Sequence, residues 1–137
     1  MESRIEQAIA RHHKGYNCAQ AIVCTYADLF GIDEQTAYKM SEAFGFGMGM
    51  MEVCGALTGG LMLAGLQNSA GVETPGSTKA ATYKIDRTLG EAFSKATGSL
   101  LCSELKGRDT GTMLCSCDDC IRHAARIVEE KLLADAQ

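Results

Sequence analysis

Residues 54–66 read CGALTGGLMLAGL, running from Cys54 to Leu66 without a single charged side chain. The run is shorter than the roughly 18 to 20 residues that cross a bilayer. It has instead the pattern of a helix buried around most of its circumference, and a helix is expected from about Glu52 to Leu66. Gly55 and Gly59 stand four apart, so they share one helix face where a second backbone, or a bound cofactor, can approach closely. The rest of the chain is read as wrapping around this element.

Working outward toward the N-terminus, FGFGMGM alternates Gly45, Gly47 and Gly49 with bulky residues. That spacing weakens helix and strand alike, and it predicts a tight loop. Further upstream, Asp33 caps a helix ending near Phe44, and Asn17 caps another that Gly31 stops. A first helix is expected over about Glu2 to His13, with Ile5, Ala8, Ile9 and His12 on one face. Downstream, residues 67–78 carry Gly71, Pro75 and Gly76 and read as a loop. A helix follows to Thr97, with Gly98 as its stop. A short helical turn surrounds Cys102, and Asp118 or Asp119 opens a last helix bearing Ile121, Ala124, Ala125, Val128 and Leu132.

One proline, no tryptophan and few β-branched runs argue against a sheet. The expected architecture is all-α: a single domain over residues 1–137, with five to six helices around a buried, glycine-rich central one. A chain of 137 residues is a common size for one hydrophobic core. Thirteen basic and seventeen acidic residues leave a formal charge of −4, with no basic block, so nucleic acid is an unexpected partner. The opening MESRIEQAIARHHK is charged and lacks the apolar core of a secretory signal. A cytoplasmic product is expected, with no direct membrane insertion.

Cysteine is the anomaly, with seven in 137 residues. The count is odd and falls below the roughly 8 to 10% of small disulfide scaffolds, so structural disulfides are the weaker reading. Clustered thiols in a reducing compartment point to metal ligation or redox chemistry, although a lone buried cysteine is ordinarily a small hydrophobe. Cys18, Cys54 and Cys120 each fall in the first turn of an expected helix. There the free amides and the helix dipole favour thiolate, which is both nucleophile and metal ligand. Asp118 and Asp119 oppose that effect at Cys120, and Arg122 and Arg126 partly offset them. Cys117 and Cys120 form a CxxC, which serves a dithiol, a disulfide or half of a metal site.

Several other chemistries lack their signatures. There is no second CxxC for a zinc ribbon, and Ile121 follows Cys120 where covalent haem attachment requires histidine. The glycine loop fits neither phosphate-binding pattern. His123 is a possible ligand or proton donor, although an ordinary surface histidine is the simpler reading. His12 and His13 are adjacent and point apart. Met40, Met48, Met50, Met51 and Met62 gather around the loop and are read as core packing.

GYNCAQAI around Cys18, FGFGMGMMEVCGALTGG around Cys54, CSELKG around Cys102, and Cys120 leading into the last helix resemble the redox-active protein family named for its C, CGAxxG, C and C cysteine pattern. The resemblance spans nearly the whole chain in order, and Cys54-Gly55-Ala56-Leu57-Thr58-Gly59 is its most specific segment. It implies a small, mostly helical, cytoplasmic bacterial protein with four hallmark cysteines, here Cys18, Cys54, Cys102 and Cys120, of a family often encoded beside transporter genes. It implies no particular reaction. Cys24, Cys115 and Cys117 lie outside the pattern, and the partner of Cys120 stays open.

Two functions compete at this level. In one, the four hallmark cysteines converge and act by thiol–disulfide exchange, with Cys54 as the attacking thiolate, or hold an iron–sulfur cluster or zinc as metal ligands. In the other, the chain is a non-catalytic module that binds a soft metal or a membrane-transporter partner. A homodimer completing the core is also open.

Overall fold

Helix α4 (Gly55–Asn68) is the central element of the computed structural model, which describes residues 1–134. Its first turns bury Gly55, Ala56, Leu57, Gly59, Gly60, Leu63 and Ala64, while Leu66 in the last turn is exposed. The apolar run therefore buries its N-terminal portion most completely. Around it stand α1 (Ile5–His13), α2 (Cys18–Tyr26), α3 (Glu34–Ser41), α5 (Lys79–Thr97), the short α6 (Cys102–Lys106) and α7 (Cys117–Ile127). No strand occurs among the described residues, and the fold is all-α. The count exceeds the expected five to six because the turn around Cys102 closes as a helix of its own. No described helix is long and apolar enough to cross a membrane.

The closest crossing is α2 on α4, and glycine makes it possible. A methyl group added at Gly59 would stand 3.0 Å from the Ala19 carbonyl oxygen and 3.0 Å from Ile22 Cβ. At Gly55 it would stand 2.9 Å from the Phe44 carbonyl oxygen and 3.1 Å from Gly45 Cα. Both approaches involve backbone, which cannot swing aside as a side chain can. Ala56, Leu63, Leu89, Phe93, Ile121 and Val128 fill the main core where α4, α5 and α7 meet.

Local chemistry sets the helix ends. Asn17 Oδ1 accepts from the Gln20 amide at 2.9 Å while Gln20 Oε1 accepts from the Asn17 amide at 2.9 Å, a complete capping box that opens α2. Asp33 accepts from the Thr36 amide at 3.0 Å and opens α3. Three expected helix starts differ. Helix α1 starts at Ile5 rather than Glu2. Helix α4 starts at Gly55 rather than Glu52, because Val53 pairs in an isolated antiparallel bridge with Leu101. Ser116, not Asp118 or Asp119, caps α7, its side chain accepting from the Asp119 amide at 3.1 Å. That last shift makes Cys117 the first residue of α7 and sets Cys120 one turn inside it.

The crossing of α2 and α4 yields a test. Gly55→Ala is expected to lower stability by about 1–3 kcal/mol, because its methyl has nowhere to go. Gly65→Ala, on the same helix with nothing within 4 Å of the added methyl, should raise stability by about 0.5–1 kcal/mol through helix propensity. Denaturant midpoints compare the two, and a Gly55→Ala midpoint at or above wild type contradicts the packing.

Candidate functional site: a cavity lined by thiols

The β-bridge that delays the start of α4 also builds the site. The Cys54 amide donates to the Leu100 carbonyl at 2.8 Å and the Cys102 amide donates to the Glu52 carbonyl at 2.6 Å, so α4 and α6 begin side by side. The amides of Leu114 and Cys115 donate to the Leu105 carbonyl at 2.9 and 3.3 Å, which brings the start of α7 onto the same turn. Helix α2 enters through its contact with α4. The result is a cavity of about 180 Å³ at which the N-terminal ends of α2, α4, α6 and α7 meet. Drug-sized ligands occupy roughly 300–1,000 Å³, so a dinucleotide does not fit.

Cys18, Cys54, Cys102 and Cys120 all line this cavity, and so do Cys115 and Cys117. All seven cysteines of the chain are free thiols. Cys24 lies apart, packed with Val23, Ala27 and Ala37, where burial pushes its thiol up to about 11. Gly55 lines the cavity, whereas Gly59 is one turn along and faces Ala19 and Ile22. A wider depression of about 630 Å³ holds Arg4, Arg11, Asp28 and Glu34. Those charges are spent on one another, Arg4 with Asp28 at 2.6 Å and Arg11 with Glu34 at 3.2 Å. The sulfur cavity, whose thiols are not tied up in ion pairs of this kind, is therefore the candidate site.

Within it the thiols shift one another's ionisation in two pairs. Cys18, the first residue of α2, and Cys117, the first residue of α7, form one of them. The Cys18 thiol, with Lys106 Nζ 3.3 Å from the Cys117 sulfur, brings the Cys117 thiol down to about 5 against the opposing effect of burial. The Cys117 sulfur, together with burial, pushes Cys18 far up, so it keeps its proton. In the second pair, the Cys120 thiol and the amides of Ala56 and Leu57 in the first turn of α4 hold Cys54 below the ordinary thiol range. Cys120, under the influence of Cys54 and buried, moves far in the other direction. In each pair one thiol is lowered and its partner raised.

The remaining wall explains the cation. Lys106 Nζ lies 5.6 Å from the centroid of the Phe46 ring, a distance at which a cation is attracted to an aromatic face. Phe46 reaches that place from the glycine loop, where Phe46, Met48 and Met51 all take positive φ. Each such non-glycine residue costs about 1–2 kcal/mol. Gly47 allows the loop to press on the site, since a Cβ there would lie 3.0 Å from Cys102 Cβ and 2.4 Å from the Glu52 amide. Burial raises the Cys102 and Cys115 thiols, which stay protonated. His12 lines the cavity, with Nδ1 2.8 Å from the Tyr16 carbonyl. His13 turns away to Asp118 at 2.8 Å, and His123 contacts Arg126 at 3.2 Å outside the cavity. The histidines do point apart as their adjacency requires.

The sequence reading left out Lys106, Phe46, His12 and Cys115, and it set Cys117 outside the hallmark set. One signal was available for the lysine: Lys106 stands four residues after Cys102 and shares its helical face. Among the described residues, no group of three or more histidine, cysteine, aspartate or glutamate side chains is arranged to hold a metal ion. A zinc or iron–sulfur centre would require the thiols to leave their pairs.

The class defined here is a small helical scaffold that gathers six thiols around one cavity. A family model described as "putative redox-active protein (C_GCAxxG_C_C)" matches residues 16–131, which include all six cavity cysteines, and the chain belongs to that family. Neither a curated protein nor a solved structure matches it.

The environment of Cys117 predicts its pH profile. The thiolate exists above its pKa, so alkylation at Cys117 should hold steady from neutral pH down to about 5 and fall below it. Lys106→Met removes the cation and should slow the mildly acidic rate on the order of tenfold, the equivalent of one pKa unit. Mass spectrometry of briefly alkylated native protein reads both effects. A Cys117 rate that rises only through the ordinary thiol range contradicts the assignment.

Proposed function

We propose that the protein is a thiol–disulfide oxidoreductase in which Cys117 attacks a disulfide and Cys18 resolves the intermediate. A single observation carries this reading: the half-buried Cys117 sulfur lies 3.3 Å from the Lys106 ammonium, which favours its thiolate, in a cavity that Cys18 also lines. A low-pKa thiolate with a resolving thiol within reach is the arrangement that exchange chemistry requires.

The steps balance. The Cys117 thiolate attacks one sulfur of a disulfide RSSR, forming a mixed disulfide and releasing RS⁻. Once Cys117 has lost its negative charge, the largest influence holding the proton on Cys18 is gone. That proton passes to the departing thiolate, and Cys18 attacks the Cys117 sulfur and releases the second RS⁻, which solvent protonates. The substrate gains two electrons, and the protein holds a Cys18–Cys117 disulfide. Lys106 stabilises the attacking anion and takes no part in bond making.

The sequence favoured Cys54 as attacker. The deeper burial of Cys54 and its lack of a neighbouring ammonium favour Cys117 for the entry step. Free thiols of this kind belong in a compartment that keeps them reduced, the cytoplasm.

The double variant Cys18→Ser, Cys54→Ser removes the resolving thiol and the other cavity thiol whose pKa is lowered, and should trap the mixed disulfide. Treated with oxidised glutathione, that variant is expected to gain one glutathione on Cys117, located by peptide mapping, whereas wild type should not accumulate the adduct. Glutathione on another cysteine, or none at all, overturns the proposal.

A further inference from the structure

Cys54 and Cys120 face the same cavity, yet the exchange just described leaves them unused. They are 5% and 3% exposed, whereas Cys18 and Cys117 are half-buried and reachable. We infer that Cys54 and Cys120 form a second dithiol in series with the first, and that a disulfide made between Cys18 and Cys117 is passed inward to them. The inference rests on the reading that Cys117 takes up the disulfide, and it adds an internal destination for the oxidising equivalent.

Three observations carry it. Cys54 and Cys120 are both buried at the same cavity, at the starts of α4 and α7, and each is the largest influence on the other's ionisation. They line the cavity that the outer pair lines, so no hydrophobic layer separates the two couples. Lys106 sits against Cys117 and Phe46, so the only ammonium lining the cavity serves the outer couple. A couple whose reduced form is specially stabilised makes a more oxidising disulfide. Oxidising Cys117 forfeits its ion pair with Lys106, while oxidising Cys54 forfeits only the contact with the Ala56 and Leu57 amides in a more buried place. Exchange therefore runs inward.

The transfer needs no outside reagent. The Cys54 thiolate attacks the outer disulfide at the Cys117 sulfur, making a Cys54–Cys117 bond and releasing Cys18 as thiolate. Cys120 gives its proton to Cys18 and attacks Cys54, releasing Cys117 as thiolate. Cys54 and Cys120 lose two electrons, Cys18 and Cys117 regain two, and the outer couple is ready for a second substrate. The chain then takes up four electrons' worth of oxidation in two steps.

Oxidised glutathione is larger than the cavity and meets the partly exposed Cys18 and Cys117 before the buried Cys54 and Cys120, so it reports the path. Reduced wild-type protein, given a single equivalent of it without oxygen and then acid-quenched, alkylated and mapped unreduced, should show Cys54 linked to Cys120 with Cys18 and Cys117 free. Cys54→Ser should stop the bond at Cys18–Cys117. Cys117→Ser should slow oxidation of the inner pair on the order of tenfold or more, because no reachable thiolate remains. If the wild-type bond stays between Cys18 and Cys117, or if Cys117→Ser oxidises the inner pair at the wild-type rate, the series is overturned. The former result leaves the exchange at Cys117 standing, whereas failure to form any adduct on Cys117 in the Cys18→Ser, Cys54→Ser double variant overturns that exchange as well.

Discussion

The structure depends on bringing helix starts together. A helix N-terminus presents unpaired amides and a partial positive charge, and these favour an anion in front of it. Here α2, α4 and α7 each begin with cysteine at or beside the first helical position, and all three beginnings meet at one cavity. Burial alone would hold every one of those thiols protonated. The neighbouring thiol, the amides at Cys54 and the Lys106 ammonium at Cys117 decide which thiol of each pair is lowered. Reactivity and pairing thus follow from one arrangement of backbone ends.

Holding that arrangement has a cost that the fold meets in two places. Gly55 and Gly59 let α2 and α4 approach until backbone touches backbone, which fixes Cys18 relative to Cys54. The loop over 45–51 accepts three non-glycine residues with positive φ and sends Phe46 across to Lys106. Backbone strain beside a reactive group is a recurrent feature of functional sites. Here it has a visible product, since the half-exposed Phe46 ring holds the cation that accompanies Cys117. The glycine pattern and the thiol chemistry are one design seen at two scales.

Much of this was legible in the residues. The apolar run from Cys54 announced the central helix, Asn17 and Asp33 announced their caps, and Gly31 and Gly98 take the left-handed conformation that stops a helix. The family motif brought forward Cys18, Cys54, Cys102 and Cys120. What could not be read was which sulfur faces which. The pairing of Cys18 with Cys117 depends on Ser116 capping α7 ahead of Asp118, a one-turn matter that side-chain type alone does not decide. Nor does sequence distance bring Phe46 and Lys106 together; the bridge between Val53 and Leu101 does. Long-range hydrogen bonds made by two residues of extended chain lie outside helical periodicity.

The central claim is that the cavity holds ionised sulfur under conditions where free cysteine does not. An ultraviolet thiolate titration of the fully reduced native protein tests it most directly, with the denatured chain as reference. The account predicts thiolate absorbance already present at neutral pH and lost only on acidification toward about 5, a signal abolished by Cys117→Ser. Absorbance that first appears in the ordinary thiol range, superimposable on the denatured chain, would contradict it.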